Sequence, residues 1–215
     1  YDHAGHGYFL EDGAESGNLI EGNLGMTSHD PGAGVRLLPS DSRPATFWIS
    51  NPANTVRNNV AAGSEGVGFW YALPEQPTGL STGAPDRPRM TPLGLFTGNV
   101  AHSNHQGGLF VDDGPLANGQ TDVTVYVPRA DPNDYNSAPV IADFTNFRAY
   151  KHYYRAVWLR GDHLKLSNSI LADNAIGATF AAYETFVENT VFIGQTGSLP
   201  NLPSSNQLRG YEFYD

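Results

Sequence analysis

The sequence contains no cysteine and only two methionines. Without thiols there are no disulfide staples and no thiolate metal sites, and the redox compartment leaves no mark on the chain. Positive charge is scarce as well: 12 Lys and Arg stand against 22 Asp and Glu, for a formal net charge of −10. Phosphate backbones demand a broad basic footprint, so nucleic acid is excluded as a general partner, although a local basic cleft is compatible with this balance. No apolar run approaches the ~18 residues that a membrane-spanning helix needs, and no stretch keeps a helical period between caps. The opening "YDHAGHGYF" has neither an initiator Met nor a signal peptide, and reads as a mature product or an excerpt of a longer chain.

What is present points to strands and turns. The 215 residues include 24 Gly and 15 Pro, with many Asn, Ser and Thr, while 40% are apolar and 12% aromatic. This is the composition of a folded, turn-rich, all-β chain of one domain, residues 1–215.

A repeat underlies it. "NVAAGSEGVGFW" from Asn59 aligns without gaps on "NVAHSNHQGGLF" from Asn99, "FRAYKHYYRAVW" from Phe147 and "SILADNAIGATF" from Ser169, with partial copies at "DHAGHGYF", "NLGMTS" and "TVFIGQ". The sixth column is polar: His3, Ser28, Ser64, Asn104, His152, Asn174, Gln195. The tenth is small: Gly7, Gly68, Gly108, Ala156, Ala178. The twelfth is aromatic: Phe9, Trp48, Trp70, Phe110, Trp158, Phe180. Stacked columns of one character are what a parallel β-solenoid produces, since each coil sets the same position about 4.8 Å above the last. The final intervals, 147 to 169 and 169 to 190, suit one three-sided coil each. The Pro/Gly-rich segments at about 29–45, 74–92 and 115–139 read as loops inserted into earlier coils. "TDVTVYVP" within the last of them alternates like an extra strand. A right-handed parallel β-helix of roughly six to seven coils is expected.

"GHGYFLEDGAESGNLIEGNLGM", "TFWISNPANTVRNNVAAGSEGVGFWY", "TPLGLFTGNVAHSNHQGGLFVDDG" and "VWLRGDHLKLSNSILADNAIGATFA" resemble, in order, the parallel β-helix region of the cell-migration-inducing hyaluronidases, with fibrocystin a more distant relative. The resemblance covers residues 1 to about 195. It implies an extracellular or cell-surface setting and binding and endo-type depolymerisation of hyaluronan. It also implies a preceding glycine-rich domain that this sequence does not contain, so the chain corresponds to part of the family's helix.

Candidate chemistry gathers beside the aromatic column. Glu11 and Asp12 follow Phe9, Asp112 and Asp113 follow Phe110, and Arg160 follows Trp158 at the offset of Glu11 and Asp112. Arg160 should then lie one coil from Asp112 on the same face, either as a salt bridge beside a turn or as an acid and a cation in a polysaccharide groove. His6 is the preferred histidine, because the family motif carries His at the matching position and Glu11 and Asp12 follow it closely. His6, Glu11, Asp12, Asp112 and Arg160 are thus the catalytic candidates, by hydrolysis or by elimination. His102, Asn104, His105, Lys151, Tyr153 and Arg155 are the substrate-binding candidates, with rings for pyranose faces and cations for carboxylates. The competing reading of the polar column, Asn104 and His152 included, is an inward hydrogen-bonded ladder. Asn51, Asn54, Asn58 and Asn59 divide in the same way between sugar hydroxyls and turns or an asparagine ladder.

Two functions follow: an acidic-polysaccharide-binding and depolymerising β-helix, or a non-catalytic surface module whose carboxylates are structural or hold Ca²⁺. Exposed sheet edges at both ends would suit self-association or stacking with flanking coils.

Overall fold

The computed structural model describes residues 1–196 and 209–214. Almost every strand belongs to one of three parallel sheets. The first holds Leu19–Glu21, Thr55–Arg57, Leu95–Thr97, Ala142–Thr145, Leu164–Ser167 and Phe186–Glu188. The second holds Leu24–Met26, Val60–Ala62, Val100–His102, Arg148–Tyr150, Ile170–Ala172 and Val191–Ile193. The third holds Tyr8–Leu10, Ala45–Ile49, Val67–Tyr71, Gly107–Val111, Arg155–Asp162, Ile176–Tyr183 and Arg209–Phe213. The chain visits them in that order on every circuit, which is consistent with a parallel β-helix. Among the described residues only three short 3-10 turns are helical, all within loops.

The corners explain the sequence columns. Between the first and second sheets one residue per circuit takes a left-handed backbone: Gly22, Asn58, Gly98, Asn146, Asn168 and Asn189, with φ between 48° and 68°. Gly and Asn tolerate this region best. The residue after it turns inward. The Asn59 side-chain oxygen accepts from the Asn23 backbone N–H (3.0 Å), its amide donates to the Ile20 carbonyl (2.8 Å), and the Asn99 side chain repeats the pattern on Asn59 one circuit on. The second corner has the same grammar. Thr27, Gly63, Ser103, Lys151 and Asp173 are left-handed, and each precedes a buried polar side chain: Ser28, Ser64, Asn104, His152, Asn174. Ser64 N–H donates to the Asn104 oxygen (2.8 Å), Asn104 N–H to His152 Nδ1 (3.2 Å), and His152 N–H to the Asn174 oxygen (3.1 Å). The small column lies against this ladder, since a Cβ on Gly108 would fall 2.8 Å from His152 Nε2 and 2.6 Å from the Ala156 carbonyl oxygen.

Inside, the second sheet contributes small side chains in register, Ala61, Ala101 and Ala149. They leave room for the rings of the other two sheets to meet. Phe69 packs edge-on to Phe96 at 5.5 Å, and Tyr71 to Phe144 at 5.4 Å. Truncating such a buried ring costs roughly 3–5 kcal/mol.

Two expectations need correction. The last aromatic and small positions slip by one residue: Trp158 pairs with Thr179 and Leu159 with Phe180. Phe180 is therefore a core residue, Ala178 pairs with Val157, and Gly177 is left in the small column. The cause is a shorter corner. Arg155 comes three positions after His152, but its partner Ile176 comes only two after Asn174. The strand expected at "TDVTVYVP" shrinks to Thr121–Asp122, antiparallel to Gly114–Pro115, because Tyr126 turns inward, buried and donating from its hydroxyl to the Thr91 carbonyl.

The asparagine pair predicts a contrast in equilibrium urea unfolding. Asn59→Leu takes the acceptor from the Asn23 N–H and a donor from the Ile20 carbonyl and should cost about 3 kcal/mol, while Asn58→Gly, at a left-handed and exposed position, should change stability by less than about 1 kcal/mol.

Candidate ligand-binding face

Alternation along the third sheet sends Phe47, Phe69 and Leu109 inward and the in-register column Phe9, Trp48, Trp70, Phe110, Trp158 outward. Segment 30–44, inserted before Ala45–Ile49, lies over the middle of this column, and Trp48 and Trp70 are buried with Ala45, Val67 and Ala72 in a second apolar cluster.

His6 is part of this cover. Its ring lies 4.3 Å from Trp48 and 5.4 Å from Phe9. Nδ1 accepts from the Ala45 N–H at 3.0 Å, so Nε2 carries the proton and faces Ser40 Oγ at 3.1 Å, with Asp41 at 3.7 Å. Burial lowers its pKa to about 4 against the opposing pull of Asp41, so the imidazole is neutral at pH 7. His6, Glu11 and Asp41 line one cavity of about 220 Å³ with Phe9, Leu37 and Leu38. Asp41 is otherwise occupied by the Leu37 and Leu38 N–H groups. Asp12 holds the neighbouring loop through the Ser81 N–H at 3.1 Å.

Asp112 and Arg160 meet as the column offset requires, Nε to Oδ2 at 2.6 Å. The Asp112 carboxylate is buried and fully engaged: it also accepts from Trp158 Nε1 (2.9 Å), the Asp113 N–H (2.7 Å) and the Thr124 N–H (3.1 Å). It ties the third insertion to the sheet. Glu11 lies three strand spacings from Asp112, on the order of 14 Å between main chains. That exceeds the roughly 5–9.5 Å that separates the carboxyl pair of a glycosidase. The five catalytic candidates thus divide: His6 and Glu11 share a cavity, Asp12 and Asp112 hold loops, and Arg160 opens onto a different groove with Phe180, Tyr183 and Tyr214.

The binding candidates gather more closely. His102 stacks on Tyr150 at 4.9 Å and His105 on Tyr153 at 4.7 Å, each pair within 8° of parallel. His105, Lys151 and Tyr153 are exposed. Burial, and next the Lys151 charge, lower the pKa of His102. Arg155 lies over Tyr154 at 4.0 Å and Trp158 at 4.7 Å, and its Nε donates to Thr179 Oγ1. Asn104 is the exception: fully buried in the corner ladder, it offers nothing to a ligand. Asn51, Asn54 and Asn59 are buried likewise.

Sequence reasoning missed Arg43 and Asp41. Arg43 sits over Phe110 at 3.9 Å and Trp70 at 4.5 Å and pairs with Asp113 at 3.0 Å. Its one signal was a cation just before a return strand in a chain poor in cations. Among the described residues no group of three or more His, Cys, Asp or Glu is placed to hold a metal ion, and no helix is long and apolar enough to cross a membrane.

Three parallel sheets visited in fixed order, with an aromatic column under inserted loops, define an all-β repeat protein of the β-helical kind. The CEMIP beta-helix family model matches residues 1–109, and the chain belongs to that family. It is similar to the human Cell surface hyaluronidase CEMIP2, at 34% identity over 289 residues covering 100% of this chain and 20% of the relative. The mouse Cell migration-inducing and hyaluronan-binding protein is 31% identical over 257 residues, covering 98% of the chain and 18% of the relative. Mouse Fibrocystin-L is 32% identical over 174 residues, or 81% of the chain and 4% of the relative. The chain thus spans about a fifth or less of the length of these relatives.

Two buried imidazoles give a pH prediction. His6 (about 4) and His152 (about 3) are depressed by burial from an ordinary 6.5, so the unfolded chain binds more protons below that value. Stability should be full above pH 6.5 and fall progressively as the pH drops toward 4 and then 3. Urea midpoints measured from pH 7.5 to 4 check this, and His152→Gln should flatten the slope.

Proposed function

We propose that the chain is a closed, right-handed parallel β-helix that binds hyaluronan or a similar acidic polysaccharide as one segment of an extracellular or cell-surface protein. Handedness follows from the strong right-handed preference of connections between parallel strands of one sheet. The observation that carries the binding reading is the exposed ring surface at the second corner, where His102 on Tyr150 and His105 on Tyr153 flank Lys151. Flat rings suit the apolar faces of pyranoses, and a flexible ammonium suits their carboxylates. The names of the human and mouse relatives, a cell surface hyaluronidase and a hyaluronan-binding protein, support the same ligand.

Binding without cleavage by this segment is the reading the geometry favours. Asp12 and Asp112 are held by loop N–H groups, and Glu11 stands three strand spacings from Asp112, beyond the separation of a glycosidase pair. An acid/base step would be sought at Glu11 beside neutral His6.

Titrating the chain with a hyaluronan decasaccharide by calorimetry tests the reading. Tyr153→Ala and Lys151→Ala should each weaken binding about three- to tenfold while leaving the unfolding midpoint in place, and size-exclusion of long hyaluronan should show no shortening. An undiminished affinity in both variants would remove this surface from the reading.

A further inference from the structure

Beside the ring surface lies a cleft of about 210 Å³ lined by Arg43, Gln106, Phe110, Tyr154, Arg155 and Trp158. It is built where the aromatic column ends. The one-residue slip puts Thr179 rather than a ring next to Trp158, and Arg155 folds across that ring with its Nε on Thr179 Oγ1 at 2.9 Å. Arg43 comes from segment 30–44 and covers Phe110. Two guanidinium groups therefore face one small cleft from different parts of the chain.

Neither is fully spent. Arg155 has one terminal nitrogen 3.6 Å from Glu212. Arg43 gives one terminal nitrogen to Asp113 at 3.0 Å, and its Nε is buried with no partner among the described residues. Burial opposes the charge on Arg43, Asp113 and Asp112 support it, and Arg155 adds a smaller repulsion. Two like charges in one partly buried space are a cost that an anion between them would relieve. The aromatic walls then restrict the anion to one carried on a flat, partly apolar body.

We propose that the Arg43–Arg155 cleft is a uronate subsite, taking the carboxylate of one hexuronic acid unit with its ring against the exposed Tyr154. This rests on the polysaccharide-binding reading and adds to it the group that selects an acidic chain over a neutral one. The position fits, because Tyr153 of the ring surface directly precedes Tyr154 and Arg155, so a chain lying on that surface runs into the cleft. The surrounding charge is balanced by Asp113 and Glu212 and the chain is acidic as a whole. Selection therefore comes from the directed fork of donors rather than from long-range attraction, and should survive 0.15 M salt.

The test has two arms. In the first, Arg Nε–Hε resonances are followed by NMR while D-glucuronate, D-glucose or acetate is added to the intact chain. The Arg43 and Arg155 signals should move with glucuronate, less with acetate and not with glucose. In the second, a hyaluronan decasaccharide is compared by calorimetry with its carboxyl-reduced form. The native form should bind about tenfold tighter. Arg155→Gln and Arg43→Gln should each bring the ratio of the two affinities close to one, and Arg155→Lys should keep part of the preference. A preference that persists in both Gln variants, equal binding of the two polymers by wild type, or glucuronate that leaves both signals unmoved overturns the subsite. An acetate response as strong as that of glucuronate overturns its selectivity for a sugar. If neither polymer binds, the polysaccharide reading fails, and the glucuronate titration still decides the cleft.

Discussion

Five circuits turn their backbone through a left-handed residue at both corners that flank the second sheet, and each such bend pulls an N–H out of the strand ladder. The polar side chain that follows most of these bends answers that demand for the circuit before it, and after Asn146 the core ring Phe147 stands there instead. Asn99 serves Asn59, Asn59 serves Asn23, and His152 serves Asn104. A buried N–H without a partner costs about as much as a whole hydrogen bond contributes. The corners therefore set the register, and strand pairing, the ring core and the outer aromatic column follow from it.

Register held at the corners makes loop length nearly irrelevant. Linked ladder residues are 36, 40, 48 and 22 positions apart in sequence and still bond side chain to backbone. Chain can be added between the sheets without disturbing what lies above or below. Segment 30–44 and segment 112–141 use that freedom differently: one buries the outer tryptophans and delivers Arg43, the other is anchored through Asp112.

This division also decides what could be read from the chain alone. Columns that repeat, such as Ser64, Asn104 and His152, announce themselves, and the meeting of Asp112 with Arg160 follows from counting along two of them. Asn58 and Asn59 are the same residue type with opposite fates, and the ladder separates them only because other circuits repeat the pair, Gly98 before Asn99 and Asn168 before Ser169. Arg43 and Asp41 have no column to belong to, so the spacing points to neither, although His6, Glu11 and Arg155 beside them were within reach of the sequence. Asn104 misled for a chemical reason: an amide that satisfies a corner is also an amide that would suit a sugar. The slip at Ile176 was hidden because Ala178 and Phe180 still look like a small and an aromatic residue in the expected places, and a gapless alignment has no means of shortening a corner.

That shortened corner resembles a stacking fault in a crystal. A strictly periodic surface offers the same chemistry at every level and so gives a ligand no address. Where the phase jumps by one residue, a ring is replaced by a hydroxyl and a guanidinium lies flat on the last tryptophan. One level of the stack becomes chemically unlike the others, while the corner bonds beneath it remain unbroken.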